Sequence, residues 1–253
     1  MIRLSPEGPV PSWEAIATTV AANPGAVWIV GNEPDVIWQD NLTAEQYAAH
    51  YGEIYDFLKE RDASAQVAVA GVAQPTPLRL AYLDRVLVAY QERYGDQMPV
   101  DIWTIHGFIL REQAGSWGVD IPPGFEEPIG RLYEIDDHDD LTIFRQNLLD
   151  FRSWMASRGY GDRPLAMTEF GILLPHDYGF PREVVANFMI GALEILATTR
   201  GEHGYAADGQ RLVQWWHWYS IYDPVNYPTG NLFDPESGTL TFLGQVYAAF
   251  IGE

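Results

Sequence analysis

Two apolar runs in this chain stop at a glutamate. Ala26-Val27-Trp28-Ile29-Val30 leads through Gly31 and Asn32 to Glu33, and Pro164-Leu165-Ala166-Met167 leads through Thr168 to Glu169. Both runs are short and bounded by Pro, Gly or Asn. Their unbroken apolar character reads as strands buried on both faces, the kind found in parallel sheets covered by helices. The C-terminal ends of such strands form the rim on which a (β/α)8 barrel carries its reactive side chains. The two glutamates therefore constrain fold and chemistry together, provided the rest of the chain supplies the sheet.

The rest of the chain alternates strand and helix as a parallel sheet requires. Residues 2–5 read as a short strand. Residues 13–22 read as a helix with Ser12 as N-cap and Pro24-Gly25 as its stop. A strand over 27–32 follows. Thr43-Ala44-Glu45-Gln46 then forms a capping box that opens a helix with Tyr47, Tyr51, Ile54, Tyr55 and Leu58 on one face. Next come a strand over 66–72, a helix over 80–94 stopped by Gly95, and a strand over 100–108 with His106 near its end. Residues 109–140 are irregular and include Pro122-Pro123-Gly124. A segment this long is functional or mobile, and its place after a strand makes it a candidate lid or groove wall. A helix over 142–157 presents Phe144, Leu148, Phe151 and Met155, and Arg163-Pro164 opens the strand to Glu169. Pro181 starts a helix burying Val184, Val185, Phe188, Ala192 and Ile195; a strand over 212–219 and a helix over 244–250 close the chain. No repeat, low-complexity tract or flexible linker interrupts the pattern, so residues 1–253 read as a single domain.

Gly31-Asn32-Glu33-Pro34-Asp35 resembles the acid/base motif of clan A glycoside hydrolases, and Met167-Thr168-Glu169-Phe170-Gly171 resembles the nucleophile motif of the same clan. Asp101-Ile102-Trp103-Thr104-Ile105-His106 and the stretch from Leu165 to Gly171 look most like its endo-β-glucanase branches. In that clan the first glutamate closes the fourth barrel strand and the second closes the seventh. Here two strand–helix units lie between the glutamates and one strand follows, which is the clan's order. The resemblance covers roughly residues 27–250. It implies a retaining hydrolase of β-linked polysaccharide, endo-β-glucanase favoured, with Glu33 as acid/base and Glu169 as nucleophile. The chemistry needs one carboxyl protonated and one ionised, about 5–5.5 Å apart. By the same resemblance Asn32 would hold the sugar 2-hydroxyl, and His106 would bind a sugar hydroxyl or one of the glutamates. Trp218 would lie under the sugar in the cleaved subsite, with Trp216, on the same strand face, in the core. Trp38 reads as a further sugar platform or as a cover over a helix, and Tyr222 as a loop residue near the substrate.

The same count exposes a deficit. The clan's first three strands should precede Glu33, where only residues 1–32 stand. The arginine that the clan supplies from its second strand to support the nucleophile has no counterpart, since Arg3 is on the wrong element. The expected fold class is thus α/β, of (β/α)8 barrel type but incomplete: five strands, or six with residues 2–5, lacking the first two or three βα units. A naturally reduced barrel, a fragment and an upstream segment lost at a misplaced start codon all fit this. An open barrel exposes strand edges, which proteins pair or cover, so a homodimer covering the open side is expected. The deficit also motivates an alternative reading, a non-catalytic carbohydrate-binding or scaffold protein on a decayed hydrolase fold. Among substrates, β-1,4- or β-1,3-glucan is favoured, and xylan and mannan stay open.

Composition narrows the partners. A formal net charge of -20, from 35 acids and 15 bases, argues against a nucleic-acid partner and suits a neutral polysaccharide. Cysteine is absent, which excludes disulfides and thiolate-bound metals. The cluster Asp136-Asp137-His138-Asp139-Asp140 lacks the glycine and distal glutamate of an EF-hand and reads as a solvated acidic run leading into a helix. No zinc motif, phosphate loop or Gly-x-Ser-x-Gly elbow is present, so no metal or organic cofactor is implied. No apolar run has the length of a signal peptide core or a membrane span, so no membrane partner is expected. The chain reads as cytoplasmic, or as secreted with its leader outside this sequence.

Overall fold

The computed structural model describes residues 1–252, and its chain divides into two compact units. No helix among the described residues is long and apolar enough to cross a membrane. The architecture is α/β, with parallel strands and six α-helices among the described residues.

The first unit comprises Met1–Ile105, Arg111–Leu132 and Arg163–Ala166. Strands Val27–Val30 and Gln66–Val69 pair in parallel, Val27 opposite Gln66 through Val30 opposite Val69. Parallel bridges from Ala68 to Ile102 and from Val72 to Ile105 extend the sheet to strand Trp103–His106, and the Trp103 N–H donates to the Pro164 carbonyl at 3.1 Å. Small side chains make close packing possible: Ala68, Ile102 and Ala166 form one buried cluster with Ile29 against it. Helix α1 (Trp13–Ala22) is capped by Ser12, and α2 (Ala44–Arg61) carries the full capping box of Thr43 and Gln46. Helix α3 (Pro77–Tyr94) ends at Gly95 in the left-handed conformation, as the sequence predicts. Buried Tyr47 ties helix to sheet, its hydroxyl donating to the Val30 carbonyl and accepting from the Ala70 N–H, both at 2.8 Å. Residues 2–5 correct the expectation of one short strand. Ile2 bridges in parallel to Val30, but Leu4–Ser5 turns back at Pro6 to pair antiparallel with Gly8–Pro9.

The second unit comprises His106–Leu110, Tyr133–Asp162 and the chain from Met167. Helix α4 (Leu141–Ser157) starts at Asp140, whose carboxylate accepts from the Thr142 and Ile143 N–H groups, and it buries all four predicted stripe residues. Helix α5 (Arg182–Thr198) buries Val185, Phe188 and Ala192 but leaves Val184 and Ile195 half-buried. In this unit the Gly107 N–H donates to the Glu169 carbonyl and the Tyr219 N–H to the Phe170 carbonyl, each at 2.8 Å. Strands Leu165–Phe170 and Trp215–Trp218 are therefore neighbours. Strand Arg200–Tyr205 and the hairpin Phe233–Asp234 with Thr239–Leu240 escape the sequence reading, because neither alternates apolar and polar residues. Helix α6 (Phe242–Ile251) closes the described chain.

Candidate functional site

In the first unit the chain leaves strand Val27–Val30 through Gly31, at φ +90°, where a Cβ would lie 3.1 Å from the Tyr47 ring and 3.2 Å from Ala70. Only glycine makes this turn without moving the core. Asn32 and Glu33 follow and are both buried. Glu33 has φ +44°, the left-handed region that a glutamate ahead of a proline rarely occupies. Two acids hold the turn from either side. On the Asn32 side, the Asp40 carboxylate accepts from the N–H groups of Asn32 (2.7 Å) and Leu4 (3.1 Å) and pairs with Arg3 at 2.6 Å. Burial pushes the Asp40 carboxyl up, with Arg3 opposing. Arg3 is thus committed to this anchor and to Gln39 (3.1 Å). Asn32 Nδ2 also lies 3.4 Å from the Gln39 amide oxygen.

Downstream, Asp35 is wholly buried, and both its carboxylate and its carbonyl meet the Arg79 guanidinium. Burial pushes the Asp35 carboxyl up, opposed chiefly by the Arg79 charge. Arg79 also pairs with Glu112 at 2.9 Å and donates to the carbonyls of Val119 (3.1 Å) and Asp120 (2.9 Å). Glu112 in turn accepts from the Thr76 hydroxyl (2.6 Å) and the Arg131 N–H (2.7 Å). These three fully buried side chains, Asp35, Arg79 and Glu112, escape sequence reasoning. The only local signal is three charged residues inside otherwise apolar or turn-rich surroundings. Trp38, in the turns after Asp35, is 72% exposed, so it is not a cover over a helix.

In the second unit, His106 is buried at the end of its strand and its Nδ1 lies 3.7 Å from Glu169 Oε2. Those two predicted residues are brought together. Trp218 is only 7% exposed: its Nε1–H donates to the Gly230 carbonyl at 2.7 Å and its ring stands edge-on to Phe170. Trp216 is half-buried, which corrects its assignment to the core. Alternation pairs the two rings on one face but cannot say that the 219–230 loop folds back to meet the second. Tyr219, just past the strand, donates to Asp223 at 2.8 Å. Burial raises its pKa, and the Asp223 and Glu169 carboxylates raise it further. Tyr222 is exposed at the edge of a cleft of about 420 Å³ that Arg182, Phe233 and Phe242 also line.

His138 does not belong to a solvated acidic run. It is buried, with Nδ1 2.8 Å from the Ile109 carbonyl and Nε2 accepting from the Leu173 N–H at 3.0 Å. Burial lowers its pKa to about 4, so the ring is neutral with its proton on Nδ1. It joins the segments that follow the strands of His106 and Glu169. Within either unit taken alone, no three His, Asp or Glu donors among the described residues converge on a common point that would hold a metal ion.

No protein-family model matches this sequence, and no curated protein does. Solved structures do resemble it in fold. A GH128 (subgroup II) endo-β-1,3-glucanase from Sorangium cellulosum superposes with a TM-score of 0.60 at 18% identity, over 94% of this chain and 75% of that one. Its counterpart from Pseudomonas viridiflava gives 0.61 at 17% identity, over 97% and 76%. A GH128 (subgroup III) curdlan-specific exo-β-1,3-glucanase from Blastomyces gilchristii, solved with glucose, gives 0.57 at 18% identity, over 92% and 74%. The chain has the fold of these glycoside hydrolases.

Proposed function

We propose that this chain is a retaining β-glucan hydrolase, favouring an internal β-1,3 linkage, on an incomplete (β/α)8 barrel that residues 1–253 form as one catalytic domain. One observation carries the reading. Glu33 follows a parallel strand that buries Trp28 and Val30, and Glu169 stands near the end of a second strand, in a fold shared with β-1,3-glucanases. Position and residue type at both strand ends are what double displacement needs.

In the first step the Glu169 carboxylate bonds to the anomeric carbon while Glu33 gives its proton to the glycosidic oxygen. The C1–O bond breaks, the leaving chain departs as an alcohol, and a glycosyl ester remains on Glu169. In the second step water attacks C1, Glu33 takes the water proton, and the ester bond breaks. Both glutamates return to their starting states. His106, 3.7 Å from Glu169, supports the nucleophile in the absence of a clan-type arginine. Asn32 meets the 2-hydroxyl, Trp38 offers an exposed platform for a more distant sugar, and Trp218 and Tyr222 are the proposed sugar contacts of the second unit. Residues 111–132, fixed to α3 by Arg79 and by Arg85 over the Phe125 ring, form a groove wall.

Strand Trp215–Trp218 is the last of its sheet, with Trp215 and His217 exposed, and Ile221 and Val225 are exposed in the loop after it. This supports association of two copies through that edge.

The test is reducing-sugar release from β-1,3-glucan, β-1,4-glucan, xylan and mannan by wild type, Glu33→Gln and Glu169→Gln. Wild type should prefer β-1,3-glucan, and Glu33→Gln should lose roughly 10²–10⁴-fold, with Glu169→Gln losing at least as much. Hydrolysis that persists in both variants overturns the assignments. Oligosaccharide binding without any release by wild type points instead to the non-catalytic reading.

A further inference from the structure

We propose that Arg79 is a positioning residue for Glu33, acting through Asp35, and that it couples the acid/base to the wall formed by residues 111–132. The inference rests on the assignment of Glu33 as acid/base. Glu33 is held at φ +44° ahead of Pro34, a conformation that persists only where the surroundings over-determine it. Its own backbone is held at two points: its N–H donates to the Gly71 carbonyl at 3.1 Å, and its carbonyl accepts from the Val36 N–H at 3.0 Å. The stronger fixture is two residues on. Asp35 offers both carboxylate and carbonyl to one guanidinium, so its backbone can neither rotate nor translate without breaking a charged contact. Arg79 is itself fully buried in the first turn of α3, with Nη2 donating to the Val119 and Asp120 carbonyls and the guanidinium ion-paired with Glu112. One planar, five-donor group thus fixes the catalytic turn and the distant segment at once. A lysine, with three donors on a point charge, reaches some of these acceptors but not all.

The role has a chemical signature that a purely structural one lacks. A misplaced acid slows departure of a poor leaving group and hardly affects one that leaves without a proton. Arg79→Lys should lower kcat on β-1,3-glucan by about 10–100-fold with KM changed less than about threefold. The initial burst of dinitrophenolate from a dinitrophenyl β-glucan oligosaccharide should fall by less than about threefold, since that step bypasses the acid. Asp35→Asn, which keeps the shape and an acceptor for Arg79, should show the same pattern at roughly 3–10-fold, and it carries the test if Arg79→Lys fails to fold. Equal losses on both substrates, or a change in KM alone, overturn the proposal while leaving the hydrolase reading intact. A wild type that releases neither sugar nor dinitrophenolate overturns the hydrolase reading and this inference with it.

Discussion

Glu33 carries its conformation at a cost. A non-glycine residue in the left-handed region is about 1–2 kcal/mol less stable than in the right-handed one, and the following proline adds to the crowding. In the proposed mechanism this position is set by the reaction and not by the turn, since the Glu33 side chain is assigned as the acid/base. Removing the side chain should therefore remove the strain along with the activity. Glu33→Gly should be as inactive as Glu33→Gln, yet more stable than Glu33→Gln by about 1 kcal/mol, read as a higher urea midpoint. A lower midpoint for the glycine variant would mean that the turn stores no strain. Nothing in Asn32-Glu33-Pro34 announces this geometry. The motif singles out the glutamate proposed to react, but the turn around it is held by Asp40, Asp35 and Arg79, and the contacts these make form only on folding.

At the scale of elements, local signals were legible and distant pairings were not. Ser12, Thr43 with Gln46, and Gly95 end their helices where the sequence reading puts them, since caps are made by residues within a few positions of one another. The burial of Trp218, the two-sided role of Arg79 and the placement of His138 depend on the Gly230, Glu112 and Leu173 segments, which no periodicity connects. His138 also sets a pH dependence. Its folded pKa of about 4 lies below the ordinary value of 6.5. At pH 7 the ring is neutral folded and unfolded. As pH falls below 6.5 the unfolded chain takes up a proton that the folded chain refuses until about pH 4. Stability should therefore drop across that window and stop dropping below it, by on the order of 3 kcal/mol in all. His138→Gln, which has no ring to protonate, should flatten the plot of unfolding free energy against pH between 6.5 and 4. Identical slopes in the two proteins would show that His138 protonates freely in the folded state.

For the whole molecule, charge and the open sheet edge pull in opposite directions. Two copies that meet along Trp215–Trp218 would bury exposed aromatic and aliphatic surface, while each brings a formal charge of -20. At low ionic strength that repulsion reaches across roughly 30 Å, and at 1 M salt across about 3 Å. Apolar burial is not weakened by salt in this way. Association should thus be salt-dependent: mostly monomer at about 0.01 M salt and increasingly dimer at about 0.5 M, at micromolar protein, in sedimentation equilibrium. The substrate proposed here is uncharged, so KM for β-1,3-glucan should stay within about twofold over the same range. The pair of measurements separates two uses of the acidic surface. A monomer at every salt concentration removes the dimer and leaves the charge as a solubility feature. A KM that climbs steeply with salt would mean that the groove recognises a cationic ligand, and the neutral-glucan reading would have to be abandoned.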